Sequence, residues 1–455
     1  MGPTPVIAIF DIGKTNKKLL LFDSNLNVLS EISVQLPDTL DEDGFPCEDI
    51  TVLARWMIDS INEVSATPDV DIKAINFSAY GASFVHLDAS GNFVTPLYNY
   101  LKPYPDSLQK TFYDTYGGKN SLSLATASPV LGSLNSGMQL YRLKCEQPML
   151  FNKIRFSLHL PQYLSFLFGH QAFTDITSIG CHTGLWDFTH HRYHPWVIKE
   201  EIIQKLAPIA SSDKVVPIEL NNHPLVIGIG LHDSSAALIP YLNQFGRDFV
   251  LLSTGTWNIT LNPFNTSPLT EAALANDCLC YLSYQGKAVK ASRLFAGHAH
   301  DQHVERIAEY FHQTPDYQTI PYDETIVEKL RKEFSSKSSP DLVPARLIHG
   351  GFFTKDLSTF KSLEEAYHQL MIDLVGFQKT STSLVLQSAD TKKLFVDGGF
   401  SKNKIFMKLL KDAFPLLEVS AATLPQASAL GAAMVMHRQW TQNDLPKNVV
   451  VLNRI

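Results

Sequence analysis

Three short glycine turns, each directly after an apolar run, are the segments best suited to hold phosphate groups. Phosphate binds well to backbone N–H groups that no side chain screens, and glycine turns and helix N-termini provide such groups. The turns contain Gly13, Gly255, and the pair Gly398 and Gly399. One strand–glycine–strand segment is usually only a hairpin, but three in one chain favour phosphate binding.

Two aspartates stand where an apolar run ends, and each could take part in chemistry on a phosphate. Asp11 could hold Mg²⁺, directly or through water, because magnesium prefers oxygen ligands. Asp233 precedes a small-residue helix, where an ionised carboxylate could accept the proton of an attacking hydroxyl. The alternative for both is structural, since Asp11 could cap its own turn and Asp233 could be a helix N-cap.

Histidine-rich and cysteine-containing segments invite a metal interpretation that their spacing does not support. The histidines at 190–194 and 298–303 match no HExxH or CxxC-type ligand set, which favours solvated polar faces. Cys278 and Cys280 are one residue apart, which is more typical of two inward positions on one strand. Only five cysteines in 455 residues indicate reduced thiols and a cytoplasmic location.

The segments that position these residues alternate between strand and helix patterns. This alternation predicts an α/β architecture. Hairpins are expected at 6–23 and 249–261, other strands at 74–77, 84–87, 225–230 and 394–397, and helices at 56–64, 302–311, 363–387, 427–433 and most of 136–206.

The two hairpins look like copies of one another. Superposing them without a gap pairs Gly13 with Gly255, Asn16 with Asn258, and Asp11 with Ser253. Copies about half a chain apart suggest two related α/β domains with a cleft between them, where ligands are commonly bound. We assign the domains to residues 1–243 and 244–455.

Composition and charge exclude several classes of function. The chain is 45% hydrophobic and 18% charged, which indicates packed domains and no extended disorder. Its net charge of −7 and the lack of a basic stripe argue against a nucleic-acid partner. No apolar run approaches the roughly 20 residues that span a bilayer, so we expect no membrane partner. We expect a monomer or a homodimer.

In combination, these motifs resemble those of the FGGY carbohydrate kinases. The resemblance rests on segments 11–16, 230–238, 253–257 and 397–403, which occur in the family's order, and on a middle segment at 174–188. It therefore covers nearly the whole chain. It implies two ribonuclease-H-like domains of the actin and hexokinase type, ATP and Mg²⁺ as cofactors, and a small sugar substrate bound mainly by the first domain.

Carried over position by position, the resemblance implies roles for individual residues. Asp11 would be associated with the metal and Asp233 would be the general base. Gly81 and Ser83 fall in a turn that contacts the sugar, and His232 is expected to contact it together with Asp233. The residues expected to bind the nucleotide are Gly13, Lys14, Thr15, Asn16, Thr254, Gly255, Thr256, Gln302, Gly398, Gly399 and Asn403.

Two motifs are most similar to the rhamnulokinase and fuculokinase branch of the family. They are His232-Asp233 and Gly255-Thr256-Trp257. The branch implies phosphorylation of a 6-deoxyketose, such as L-rhamnulose or L-fuculose, at a primary hydroxyl. Lys14 stands where the family usually has threonine. A xylulose, ribulose or polyol kinase, an actin-like ATPase without sugar kinase activity, and a sugar-binding protein without turnover are the alternatives.

Overall fold

We describe a computed structural model of the chain, which covers residues 2–334, 351–386, 391–424 and 426–455. The chain forms two compact units that are discontinuous in sequence. The first comprises Met1–Gln244, Cys280–Ala288 and Gln426–Val449, and the second Phe245–Leu279, Val289–Pro425 and Val450–Ile455. The predicted boundary between residues 243 and 244 stays a prediction. It assumed one continuous segment for each domain, whereas each of these compact units consists of three segments.

Strands and helices alternate along the chain. The strands are β1 (Thr4–Ile12), β2 (Lys17–Phe22), β3 (Val28–Val34), β4 (Asp38–Leu40), β5 (Pro46–Glu48), β6 (Val70–Ala79), β7 (Phe84–Leu87), β8 (Phe156–His159), β9 (Thr174–Asp175), β10 (Trp186–Asp187), β11 (Arg192–Tyr193), β12 (Ile209–Ala210), β13 (Val215–Leu220), β14 (His223–Gly228), β15 (Leu231–His232), β16 (Phe249–Thr254), β17 (Asn258–Asn262), β18 (Cys278–Leu282), β19 (Ala288–Leu294), β20 (Lys393–Gly398), β21 (Glu418–Thr423) and β22 (Val451–Arg454). The helices are α1 (Ile50–Ser65), α2 (Asp106–Thr115), α3 (Lys119–Thr126), α4 (Ser136–Glu146), α5 (Pro148–Lys153), α6 (Leu160–Gly169), α7 (Ile176–Ile179), α8 (Pro195–Lys199), α9 (Asp233–Phe245), α10 (Glu271–Ala275), α11 (Ala296–Phe311), α12 (Glu324–Phe334), α13 (Leu363–Ser383), α14 (Lys404–Ala413) and α15 (Ala427–Trp440).

The first unit is built on a sheet with the strand order β13-β14-β6-β1-β2-β3, and β15 also pairs with β6. The central strand β1 runs parallel to β6 and antiparallel to β2. Its residues from Val6 to Phe10 are all buried, because helices cover both faces of the sheet and leave no solvated side. This explains why β1 appears in the sequence as a continuous apolar run and not as an alternating pattern.

The second unit repeats this plan. Its sheet has the order β18-β19-β17-β16-β20-β21-β22, and its central strand β16 is antiparallel to β17 and parallel to β20. These relations are the same as those of β1 to β2 and β6. The internal duplication and the α/β architecture expected from the sequence are therefore both present.

The two hairpins nevertheless differ by one residue in the turn. Ile12 pairs with Lys17 in the first hairpin, whereas Thr254 pairs with Asn258 in the second. The amide of Gly13 donates to the carbonyl of Asn16, but that of Gly255 donates to the carbonyl of Trp257. The superposition of Asn258 on Asn16 is thus wrong, because a comparison without gaps cannot register a shorter turn.

The prediction of mostly helical structure over 136–206 is wrong in part. Helices α4, α5 and α6 are present, but β8 pairs antiparallel with β7 through Phe84 and His159. Three short strands, β9, β10 and β11, follow. A four-residue segment such as β8 is too short to be assigned from periodicity alone, because its partner strand decides its conformation.

Candidate active site

Asp11 lies at the carboxyl end of β1, between the two neighbouring strands. In the sheet it is opposite Ser78 of β6 and Lys18 of β2. The hydroxyl of Ser428, in the first turn of α15, donates to Oδ2 of Asp11 at 2.9 Å. A segment more than 400 residues away in sequence therefore completes the surroundings of this carboxylate.

The pKa of Asp11 is raised to about 6, mainly because burial disfavours its charged form. The hydrogen bond from Ser428 opposes the rise, whereas the negative charge of Asp233 adds to it. Asp11 and Asp233 are therefore close enough to repel each other. Carboxylates that interact electrostatically are common at sites of proton transfer or metal binding.

Asp233 is the first residue of α9 and follows the short strand β15. Its Oδ1 accepts from the amide of Ser234 at 2.5 Å and lies 3.2 Å from Nε2 of His232. The side chain of Asp233 is 36% exposed, while that of His232 is only 5% exposed. Asp233 thus accepts from the amide of the next residue, whereas a helix N-cap accepts from an amide two or three residues on, and its side chain is partly exposed.

The 80–83 turn lies beside His232. A Cβ added to Gly81 would be 2.8 Å from Sγ of Cys181 and 3.0 Å from Cδ2 of His232. Only glycine fits this approach without a shift of its neighbours. The side chain of Ser83 is buried, and its carbonyl accepts from the amide of Leu160.

Sequence reasoning missed several residues of this site. Sγ of Cys181 is 3.1 Å from Nε2 of His232. The pKa of Tyr100 is raised by burial and by the charge of Asp233, which places its phenol near that carboxylate. Ser428 was missed as well. No local motif marks these residues, because each reaches the site only through the tertiary fold.

The first glycine turn, residues 13–16, closes the β1–β2 hairpin next to Asp11. Gly13 and Lys14 are half-buried, whereas Thr15 and Asn16 are exposed. Nζ of Lys14 lies 5.7 Å from the centre of the Tyr80 ring, a cation–π contact. The structure therefore brings Asp11, the first turn, the 80–83 turn, His232 and Asp233 together in one unit.

In the second unit, the turn after β16 and the turn after β20 are joined through Thr254. Its hydroxyl donates to the carbonyl of Asp397 at 2.5 Å and accepts from the amide of Phe400 at 3.0 Å. Gly398 has φ +85°, and a Cβ there would be 1.9 Å from the carbonyl oxygen of Thr254. These two glycine turns thus form one continuous backbone surface.

Helix α11 begins against the same surface. A Cβ on Gly297 would be 1.9 Å from the carbonyl oxygen of Gly255, and the amide of His298 donates to the carbonyl of Thr256. Gln302 is exposed on this helix. Gly399 has open space around the position of a Cβ. The helix therefore approaches the turns without any bulky side chain between.

Asn403 differs from the other residues expected to bind the nucleotide. It is buried, its Oδ1 accepts from the amide of Phe406 as the N-cap of α14, and its Nδ2 donates to the hydroxyl of Tyr367 at 2.7 Å. Its side chain therefore holds α14 next to the Gly398 turn.

The carboxylate pair of the first unit fits a magnesium ion that arrives with a nucleotide. In the described part of the chain, no group of three or more His, Cys, Asp or Glu side chains forms a metal site. Mg²⁺ with a nucleotide usually takes one or two carboxylates, and phosphate and water oxygens complete its shell. A cation here would relieve both the repulsion between Asp11 and Asp233 and the burial of Asp11.

Solved structures share this fold. A carbohydrate kinase from Novosphingobium aromaticivorans matches with a TM-score of 0.78 at 21% identity, over 99% of this chain and 94% of that chain. A xylulose kinase from Lactobacillus acidophilus matches with a TM-score of 0.79 at 16% identity, over 99% and 93%. The fold is thus the α/β pair of actin- and hexokinase-like domains of sugar kinases, as predicted.

Family models identify the chain more closely. Residues 6–234 match the N-terminal domain of the FGGY family of carbohydrate kinases, and residues 246–444 match the FGGY C-terminal domain. The chain belongs to the FGGY family of carbohydrate kinases, which are phosphotransferases. The family and the class of enzyme predicted from the sequence are confirmed.

A curated relative is similar over part of the chain. A rhamnulokinase of Halalkalibacterium halodurans is 24% identical over 264 residues, which are 55% of this chain and 54% of that protein. The match therefore spans about half the length of the relative.

None of the helices in the described ranges has the length and apolar composition needed to cross a membrane.

Proposed function

We propose that the chain transfers the γ-phosphoryl group of ATP to a primary hydroxyl of a ketose, with Asp233 as the general base. The observation that carries this proposal is the pair of carboxylates in the first unit. The side chain of Asp233 is partly exposed beside His232, which itself lies next to Gly81. The negative charge of Asp233 helps to raise the pKa of Asp11 at the end of β1. Separate groups are thus available for the acceptor hydroxyl and for the metal.

In the proposed reaction, the acceptor oxygen forms a bond to the γ-phosphorus while its proton passes to the carboxylate of Asp233. The bond between the γ-phosphorus and the β,γ-bridging oxygen breaks, and ADP leaves. Asp11 would hold Mg²⁺, which when bound would supply positive charge to neutralise the phosphates. The N–H groups of Gly13, Gly255 and Gly398 already donate within their own turns, so other backbone N–H groups of these three turns would bind the phosphates.

The sugar is proposed to be a 6-deoxyketose such as L-rhamnulose or L-fuculose. Two facts support this choice: the His232-Asp233 and Gly255-Thr256-Trp257 motifs, and the similarity to a protein named rhamnulokinase. His232 would donate to or accept from a sugar hydroxyl, because burial lowers its pKa and favours the neutral ring. A pentulose acceptor is the second candidate, since a structure of the same fold is named a xylulose kinase.

The test is a coupled assay of ADP release with L-rhamnulose, L-fuculose, xylulose, ribulose and glycerol, with and without Mg²⁺. We expect a sugar-dependent rate with a 6-deoxyketose that is lost in EDTA. A higher kcat/KM with xylulose or ribulose would replace the proposed acceptor. ATP consumption that no sugar changes would refute the kinase assignment and favour an ATPase.

A further inference from the structure

A buried ion pair joins Lys17 of β2 to Glu48 at the end of β5, next to the 13–16 turn and the 80–83 turn. Nζ of Lys17 is 2.8 Å from Oε1 of Glu48, and both side chains are only 3% exposed. The hydroxyl of Tyr80 donates to the second oxygen, Oε2, at 2.5 Å. Glu48 therefore binds one residue of the β1–β2 hairpin and one residue of the 80–83 turn, with a different oxygen for each.

Lys17 connects this carboxylate to the first glycine turn. Its Nζ also donates to the backbone carbonyl of Lys14 at 2.9 Å. Lys14 belongs to the turn proposed to bind the phosphates, so the ammonium fixes the direction of one peptide group in that turn. A displacement of Lys17 would consequently change which way the N–H groups of the turn point.

Tyr80 makes the corresponding contacts on the acceptor side. It directly precedes Gly81, and its amide donates to the carbonyl of Ile12 at 3.2 Å. Its ring lies under the ammonium of Lys14 and packs edge-on against Tyr100 at 6.0 Å. Tyr100 in turn is close enough to Asp233 for the two groups to interact electrostatically.

Stability alone does not explain this arrangement. Burying two charges requires desolvation that their attraction often fails to offset, so a buried ion pair is weak evidence for stabilisation. Such pairs can instead define one arrangement of the groups around them. Here the groups around the pair are the two turns of the site.

We propose that Glu48, with Lys17 and Tyr80, is a positioning group that couples the 13–16 turn to the 80–83 turn. Sugar bound at Gly81 would fix Tyr80, and through Glu48 and Lys17 it would fix the peptide of Lys14 for the nucleotide phosphates. This inference rests on the proposed function. Coupling between two ligands is reciprocal, so nucleotide would strengthen sugar binding by the same factor.

The test measures this coupling factor. Isothermal titration gives the Kd of a non-hydrolysable ATP analogue with Mg²⁺, with and without the sugar of highest kcat/KM among the five assayed. We expect the sugar to lower this Kd by about fivefold or more in the wild type, as is usual for coupled sites. In Tyr80→Phe, which lacks only the hydroxyl bonded to Glu48, the ratio of the Kd without sugar to the Kd with sugar should fall towards one.

Tyr98→Phe is a matched control. The hydroxyl of Tyr98 donates to Oε1 of Glu42 at 2.5 Å, so the same kind of bond is removed while the bonds of Glu48 to Lys17 and Tyr80 are kept. The control should keep the wild-type ratio. A ratio near one in the wild type, or equal ratios in the wild type and Tyr80→Phe, would overturn the coupling.

A second pair of variants separates positioning from folding. Lys17→Arg keeps a cation that can reach both Glu48 and the Lys14 carbonyl, whereas Lys17→Met combined with Glu48→Gln removes both charges together. The first should retain most of the coupling, and the second should lose it while still binding the ATP analogue. Coupling that survives in the charge-free variant would contradict the proposal. Sugar phosphorylation by the wild type without coupling would refute this inference alone, whereas no phosphorylation of any sugar would refute the proposed function.

Discussion

Replacing Asp11 by asparagine should make the metal-free protein more stable at neutral pH. The pKa of Asp11 rises from 3.8 to about 6, chiefly through burial, so the ionised form is less favourable in the folded chain than in the unfolded chain. At about 1.4 kcal/mol per pH unit, this difference corresponds to about 3 kcal/mol at most. Solvent screening of a partly exposed side chain reduces it, so we expect about 1–3 kcal/mol.

The sign follows from proton binding. Between pH 3.8 and about 6 the folded chain holds a proton on Asp11 that the unfolded chain has released, so wild-type stability falls as pH rises through this interval. Asparagine has no such dependence and can still accept from Ser428. The gain of Asp11→Asn should therefore be full above pH 7, shrink below pH 6 and vanish near pH 4.

The assay is thermal unfolding in EDTA at several pH values from 4 to 8. A change of about 1 kcal/mol in the free energy of unfolding shifts the unfolding midpoint by about 2–4 °C in folding units of this size. Asp41→Asn is a control of opposite sign, because hydrogen bonds from Lys102 and nearby amides outweigh burial and lower the pKa of Asp41. It should lose stability at neutral pH. A gain for Asp11→Asn that is equal at pH 4 and pH 7.5, or a loss at pH 7.5, would refute the reasoning.

Three further substitutions test individual parts of the site. Asp233→Asn should lower kcat by about 10²–10⁴, the usual range for a general base, while ATP-analogue binding is retained, and wild-type turnover would contradict its role. Gly81→Ala should raise the sugar KM by roughly tenfold, because its Cβ meets Sγ of Cys181 at 2.8 Å, and adding Cys181→Ala should recover part of this loss. Gly398→Ala should weaken nucleotide binding and lower the unfolding midpoint, because its Cβ meets the Thr254 carbonyl at 1.9 Å with φ +85°, whereas Gly399→Ala has open space and should leave the unfolding midpoint unchanged.

Local chemistry made the hairpins predictable. A buried apolar run, a glycine and a second apolar run specify strand, turn and strand without any distant contact, and both hairpins form where expected. The position of Asp11 at a strand end follows in the same way. The surroundings of Asp11 do not follow from local chemistry. Its partner Ser428 lies on α15, a segment far along the chain that belongs to the first unit.

Close backbone contacts explain why α15 packs there. A Cβ on Gly431 would be 1.9 Å from the carbonyl oxygen of Ala236 in α9, and the side-chain Nδ2 of Asn76 donates to the carbonyl of Ala432 at 2.9 Å. The small-residue pattern predicted close packing of this helix, but a pattern of this kind does not name its partner. The same limit applies to Cys181 and Tyr100, whose types suggest core residues.

The two copies of the duplicated backbone plan differ in where they carry a carboxylate. In the first unit Asp11 on the central strand is paired with Ser78 on the parallel neighbour, and in the second Ser253 is paired with Asp397. The carboxylate has thus changed strand within the same pair of positions. Oδ1 of Asp397 accepts from the amide of Gly398 at 2.7 Å and so helps to hold the left-handed glycine of its turn. Asp11 instead accepts from the hydroxyl of Ser428, so the carboxylates of the two units have different kinds of partner.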